Sequence, residues 1–389
     1  MSRPTEFYKG ARKKRNYAIV PFVIVLLIIS VIVVLFYSMQ KYAVITDDGL
    51  KIKLPALEDS NSEEAGTSAA GDEQSFEIAE INVILNGADY SGIEAKAGAG
   101  LNGVRAIFIP FAEVLDPEAV GGYASRLNSG NALLFELKKA DGYLAWYSDS
   151  ITAANYGLNM SAPESKAQLE NMVASLKAEK SVYCIAQISC CVDDLFASHC
   201  TTVGLRNQYG MHYGDTYGYY LDPYSQLARD YTVELVNELY EIGFDEVVLQ
   251  DVRHPVIELD EDGQPVNDIQ LTYTREMSTE PDASGAVCGF AVNVAEALAD
   301  RPKDKVLSIY VNSAKSLVKQ DEDNGQNGPL FAKIYDRLYY STDKYAYTFN
   351  IEDIRPSITI GRAEDRFVPV VINYLPENTS WILIDQEDD

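Results

Sequence analysis

Residues able to do chemistry gather at two places in this 389-residue chain. Gln250, Asp251, Arg253 and His254 follow the apolar run Val247-Val248-Leu249, and Glu136 and Lys138 close a second apolar run that begins at Ala132. Hydrolysis of a glycosidic bond uses two carboxyl groups flanking that bond, one protonated and one ionised. Glu136 and Asp251 are the pair such chemistry selects here, either serving as general acid or nucleophile. Lys138, Gln250 and Arg253 are expected to orient sugar hydroxyls, and Gln187, His254, Tyr310 and Tyr340 complete the substrate-contacting set. Competing structural readings are a strand-end Glu136–Lys138 ion pair and a structural Arg253–Asp251 pair. Tyrosine is abundant, 26 residues against 13 Phe, and Tyr209, Tyr213, Tyr217, Tyr219 and Tyr220 crowd one loop. Aromatic faces with hydroxyl edges suit sugar rings, and they also pack protein partners.

The elements that hold these residues follow from periodicity. Side chains alternate across a strand, so Leu134, Glu136 and Lys138 share one face, as do Glu246, Val248 and Gln250. Asp251 falls on the opposite face unless the strand ends or bulges there. Before that strand, Asp222 and Pro223 offer a helix start. Leu227, Tyr231, Leu235, Leu239 and Ile242 then recur at helical spacing, and Gly243 stops the helix. Further strands are expected over 104–111, 132–137, 181–189, 306–312, 367–374 and 381–385. Helices are expected over 116–128, 165–180, 286–300 and 330–338. Strands alternating with helices predict an α/β fold with a parallel sheet, and the length of 98–389 suits a (β/α)8 TIM-type barrel. A doubly wound sheet is the alternative, but there is no GxGxxG or Walker loop. No cofactor is expected. A metal is disfavoured too, because the cysteines lack CxxC spacing and His199 is the only nearby histidine.

Residues 17–37 are 21 uncharged, apolar residues, long enough to cross a bilayer. Six basic residues precede them, so the expected arrangement is a cytoplasmic tail (1–16), a membrane helix (17–37) and an exported remainder. Residues 38–97 read as an extracellular stalk, disordered about 58–75, with a lead-in strand near 76–85. The net charge is −26, and removing the basic tail leaves about −31 on the exported part. Such a surface disfavours nucleic acid and anionic polymers. Of five cysteines, Cys190 or Cys191 could bridge to Cys200 outside the cell, or all could be buried thiols.

Leu221-Asp222-Pro223-Tyr224-Ser225, then Gly243-Phe244-Asp245-Glu246-Val247, then Val252-Arg253-His254-Pro255, resemble segments of the bacterial "putative glycosyl hydrolase" barrel family, a relative of amylase-type barrels. Asn131–Gly142 is similar to that family's N-A-V-V-I-D-V-K-D-D-x-G strand. The resemblance implies a barrel acting on a polysaccharide or cell-envelope glycan. Gln250 stands where the family has a strand-end Asp, Glu136 where it has Asp, and Gln187 where it has Arg; its Lys is kept as Lys138. Those departures leave three readings: a hydrolase, a barrel that binds glycan without cleaving it, and an envelope scaffold.

Overall fold

The computed structural model describes residues 43–46, 49–52, 93–95, 100–127, 131–256, 270–273, 282–341, 351–373 and 380–385. The expected membrane span, the acidic stretch 58–75 and the lead-in strand 76–85 lie outside the described residues. Among the described residues no helix is long and apolar enough to cross a membrane. The chain divides into two units, residues 1–78 and 79–389. In the first, Ala43–Thr46 and Gly49–Ile52 pair as an antiparallel hairpin within the stretch read as stalk. Val44, Ile45 and Ile52 are β-branched, which favours such strands.

In the second unit, eight strands close into a parallel barrel in sequence order. They are β1 Arg105–Ile109, β2 Ala132–Lys138, β3 Tyr183–Ser189 and β4 Glu246–Gln250. The circle continues with β5 Val306–Val311, β6 Arg337–Ser341, β7 Phe367–Ile372 and β8 Trp381–Ile384, and β8 pairs with β1. The expected (β/α)8 architecture is therefore present, and the doubly wound alternative is not.

Capping fits the connecting helices. Asp116 accepts from the N–H groups of Glu118 and Ala119 at the start of α1 (Pro117–Ser125). Helix α2 (Ser165–Lys180) buries Leu169, Val173 and Leu176. Helix α3 (Gln226–Ile242) begins later than Asp222 and Pro223 suggest: those residues form a turn closed by Ser225 N–H to Asp222 O at 2.9 Å. Gly243 ends α3 at φ +117°, where a Cβ would be strained. Helix α4 (Ala283–Ala297) is capped by Asp282, whose side chain accepts from Gly285 N–H. Helix α5 (Gly328–Ile334) is shorter than the expected 330–338. Its last turn closes with Tyr335 N–H to Phe331 O, Asp336 N–H turns to Leu307 O, and Arg337 begins a strand.

The barrel interior is filled. Ala106, Leu134, Ile185, Val248, Tyr310, Tyr339, Val368 and Ile382 form an apolar layer across it. Below that layer Glu246, fully buried at 0% exposure, accepts from Ser308 Oγ at 2.6 Å, Tyr339 OH at 2.8 Å and Tyr183 OH at 3.1 Å. It also pairs with the Arg337 guanidinium, which donates to Asp365 O and Asn102 O as well.

All five cysteines are free and buried, so the Cys190/Cys191–Cys200 bridge is not formed. Burial pushes the Cys184 and Cys190 thiols up to about 12 and Cys191 well above its ordinary value. Only the thiolate reacts readily. A thiol-specific reagent at pH 8 is therefore expected to spare Cys184, Cys190 and Cys191 until the chain is denatured; rapid labelling of any of these three in the folded chain would contradict this packing.

Candidate functional site

A cavity of about 730 Å³ opens at the C-terminal ends of the strands. In barrels of this kind that end, not the opposite one, carries ligand chemistry. Glu136, Gln187, Gln250, Asp251, Arg253 and Tyr310, all expected from the sequence, line it together. Asp251 reaches it because β4 ends at Gln250 and Asp251 takes a left-handed backbone, φ +54°. Asp and Asn tolerate that conformation better than other side chains.

The two carboxyl groups have different surroundings. Glu136 Oε2 accepts from Phe111 N–H at 3.0 Å. Burial raises its pKa above the usual carboxylate range, opposed by the Phe111 bond and Lys139 and reinforced by Asp141 and Asp251. Asp251 instead accepts from Ser189 Oγ at 3.0 Å and pairs with Arg253 Nε at 3.1 Å. The Arg253 guanidinium lies over two rings, 4.5 Å from the Tyr217 centroid and 5.5 Å from that of Tyr220. Tyr310 OH, from β5, donates to Gln187 Oε1 at 3.0 Å, and Gln187 Nε2 donates to Gln250 Oε1 at 2.5 Å.

Three expected site residues lie elsewhere. The register between β2 and β3 shifts between Glu136 and Lys138, a bulge that turns Lys138 out of the barrel. Its side chain, 2% exposed, bonds Ser189 O at 2.7 Å and pairs with Asp193 at 2.8 Å; Lys139 lines the cavity instead. Tyr340 faces outward and stacks on Phe367. His254 is buried against Tyr273, whose hydroxyl meets Nε2, while Nδ1 faces Pro255 O at 2.9 Å. Burial pushes the His254 pKa down to about 4. The unfolded chain, with an ordinary histidine near 6.5, takes up a proton that the folded chain refuses between those values. Stability is thus expected to fall by about 3 kcal/mol as pH drops from 6.5 to 4. Urea unfolding of His254→Gln should show a flatter acid side over that window; an unchanged slope would rule the histidine out.

The cavity also takes in residues that spacing did not single out. Asp215 comes from the aromatic loop, beside Tyr217, one of the tyrosines expected there from the sequence, and Asp321 and Asp323 come from the segment after β5. Asp321 is tied to Ser313 at 2.7 Å and to Lys315 at 2.7 Å. Among the described residues no group of three or more His, Cys, Asp or Glu is placed to hold a metal ion.

Residues 106–345 match the family described as "Putative glycosyl hydrolase domain". The chain belongs to that family. No curated protein matches it. Solved structures similar to this glycosyl-hydrolase-type barrel include a hypothetical protein from Ruminiclostridium thermocellum ATCC 27405, at 20% identity and TM-score 0.42, covering 52% of this chain and 96% of that one. The PgaB (BpsB) glycoside hydrolase domain from Bordetella bronchiseptica is similar at 12% identity and TM-score 0.48, covering 73% and 94%. A GH18 chitinase from Cycas revoluta is similar at 12% identity and TM-score 0.40, covering 69% and 68%. Within this barrel, the strand-end position of β4 carries a neutral amide, Gln250, bonded to a second neutral amide, Gln187.

Proposed function

We propose that this barrel hydrolyses O-glycosidic bonds in a polysaccharide or cell-envelope glycan, with Glu136 as general acid and Asp251 as the ionised partner. One observation carries the reading: two carboxyl groups share a cavity yet differ in environment, one desolvated and held toward its protonated form, the other paired with a guanidinium. Arg253, Gln250 and Tyr217 position the sugar. The uncharged run 17–37 behind a basic tail supports an anchor that holds the barrel on the outer side of the cell membrane.

The Gln187–Gln250 pair favours a second reading, a barrel that holds glycan without cleaving it, because two neutral amides stand where the resembling family carries Arg and Asp. Reducing-end release from a panel of plant and cell-wall polysaccharides, using the full chain beside Glu136→Gln and Asp251→Asn, separates the two. Turnover that disappears in either variant supports hydrolysis. Unchanged turnover in both discards these residues, and binding without turnover establishes the second reading.

A further inference from the structure

The hydrogen-bond chain from Tyr310 through Gln187 to Gln250 has a direction. A phenol hydroxyl has one proton to give, and Tyr310 gives it to Gln187 Oε1; Gln187 Nε2 in turn occupies Gln250 Oε1. Gln250 is therefore left with its Nε2 toward the cavity, where it makes no hydrogen bond to the described residues. Reversing all three groups would turn an oxygen into a mouth that already holds Glu136 and Asp251, the electrostatically poorer choice. Gln187 and Tyr310 are themselves buried, so the orientation is set from inside the barrel and not by solvent.

We infer that Gln250 determines specificity: its amide N–H groups donate to a neutral acceptor oxygen on the bound sugar, a hydroxyl or an N-acyl carbonyl, and disfavour an ammonium at that position. This rests on the glycan reading above. An ammonium has only donors and would face the donors of Gln250. A carboxylate or sulfate would face the acidic lining of Glu136, Asp215, Asp251, Asp321 and Asp323, against which, among the described residues, Lys139 and Arg253 are the cations. The same acidic lining attracts an ammonium through space, so the discrimination against it is local to the position that the Gln250 N–H groups face, where neutral sugars, free or N-acylated, are the class that fits. Gln187 and Tyr310 are positioning residues that act through Gln250.

The test is binding by calorimetry in the full chain carrying Glu136→Gln, which prevents turnover, with cellotetraose, chitotetraose and the fully de-N-acetylated glucosamine tetramer as probes. The parent is expected to bind one of the first two at least fivefold more tightly than the ammonium sugar. Cellotetraose ahead of chitotetraose identifies a hydroxyl acceptor, and the reverse order an acyl carbonyl. Adding Gln250→Glu should move the ratio at least tenfold toward the glucosamine tetramer. Tyr310→Phe releases the Gln187 and Gln250 amides to turn over, and should move it the same way by a few fold; this variant decides the matter if Gln250→Glu does not fold. A parent that already prefers the glucosamine tetramer, or a ratio unmoved in the folded variants, overturns the inference while leaving the barrel a glycan binder. Binding of none of the three probes overturns the glycan reading and this inference with it.

Discussion

Replacing Glu246 with Gln is expected to destabilise the barrel by about 3–5 kcal/mol. The substitution preserves shape, so little of the loss is packing, but it keeps only one of the two accepting oxygens. The loss comes from Arg337, which is buried between Glu246, Asp365 O and Asn102 O and would keep its charge with no counter-charge. Burial opposes the Arg337 charge; Glu246 and the neighbouring tyrosines overcome it and hold its pKa above the ordinary value. Against a typical stability of about 5–15 kcal/mol, such a loss is large. Urea unfolding should show a lower midpoint with an unchanged m-value. Adding Arg337→Met should recover part of the loss, because removing both charges also removes their desolvation. A single-variant loss below about 1 kcal/mol would mean that water reaches the barrel floor.

Glu136→Gln is expected to lower kcat by about 10²–10⁴ with a much smaller change in KM, the range for losing a positioned general acid. The amide can still accept from Phe111 N–H, so the backbone contact survives. A general acid must enter the reaction protonated. Activity in the parent should therefore fall on the alkaline side as pH passes through the Glu136 pKa, which burial raises. Lys139 counteracts that rise, so Lys139→Met should move the alkaline limb to higher pH. The sign carries over to stability. A carboxyl whose folded pKa is raised favours the folded chain at low pH, and that contribution is lost as pH climbs through the raised value. An alkaline limb that stays in place in Lys139→Met would remove Glu136 from the acid role.

Much of the barrel was legible because its parallel strands are buried on both faces and read as apolar runs, as in Val247-Val248-Leu249. Strand β6 was not, because Arg337 and Tyr339 turn a charge and a hydroxyl inward toward Glu246 and leave no apolar run. The cavity was legible where a residue's face followed from alternation, as for Glu136 and Gln250. Alternation failed at Lys138, because a bulge leaves no mark in composition. His254 failed for a different reason: its partner Tyr273 comes from 19 residues further along the chain, and nothing near His254 in sequence announces it. Asp321 and Asp323 were missed because their position depends on how the segment after β5 folds back through Gln326, which reaches Val252 O and Tyr310 O at 3.0 Å each.

The apolar layer that spans the barrel has a consequence for traffic. With Leu134, Val248, Tyr310 and Tyr339 closing the bore, the cavity opens at the C-terminal ends of the strands and, among the described residues, no passage leads through the barrel floor. A long chain cannot be threaded through such a vessel; it has to lie across the rim, and whatever enters must leave by the same opening. Departure therefore competes with arrival, and the rim residues of the aromatic loop stand in the path of both.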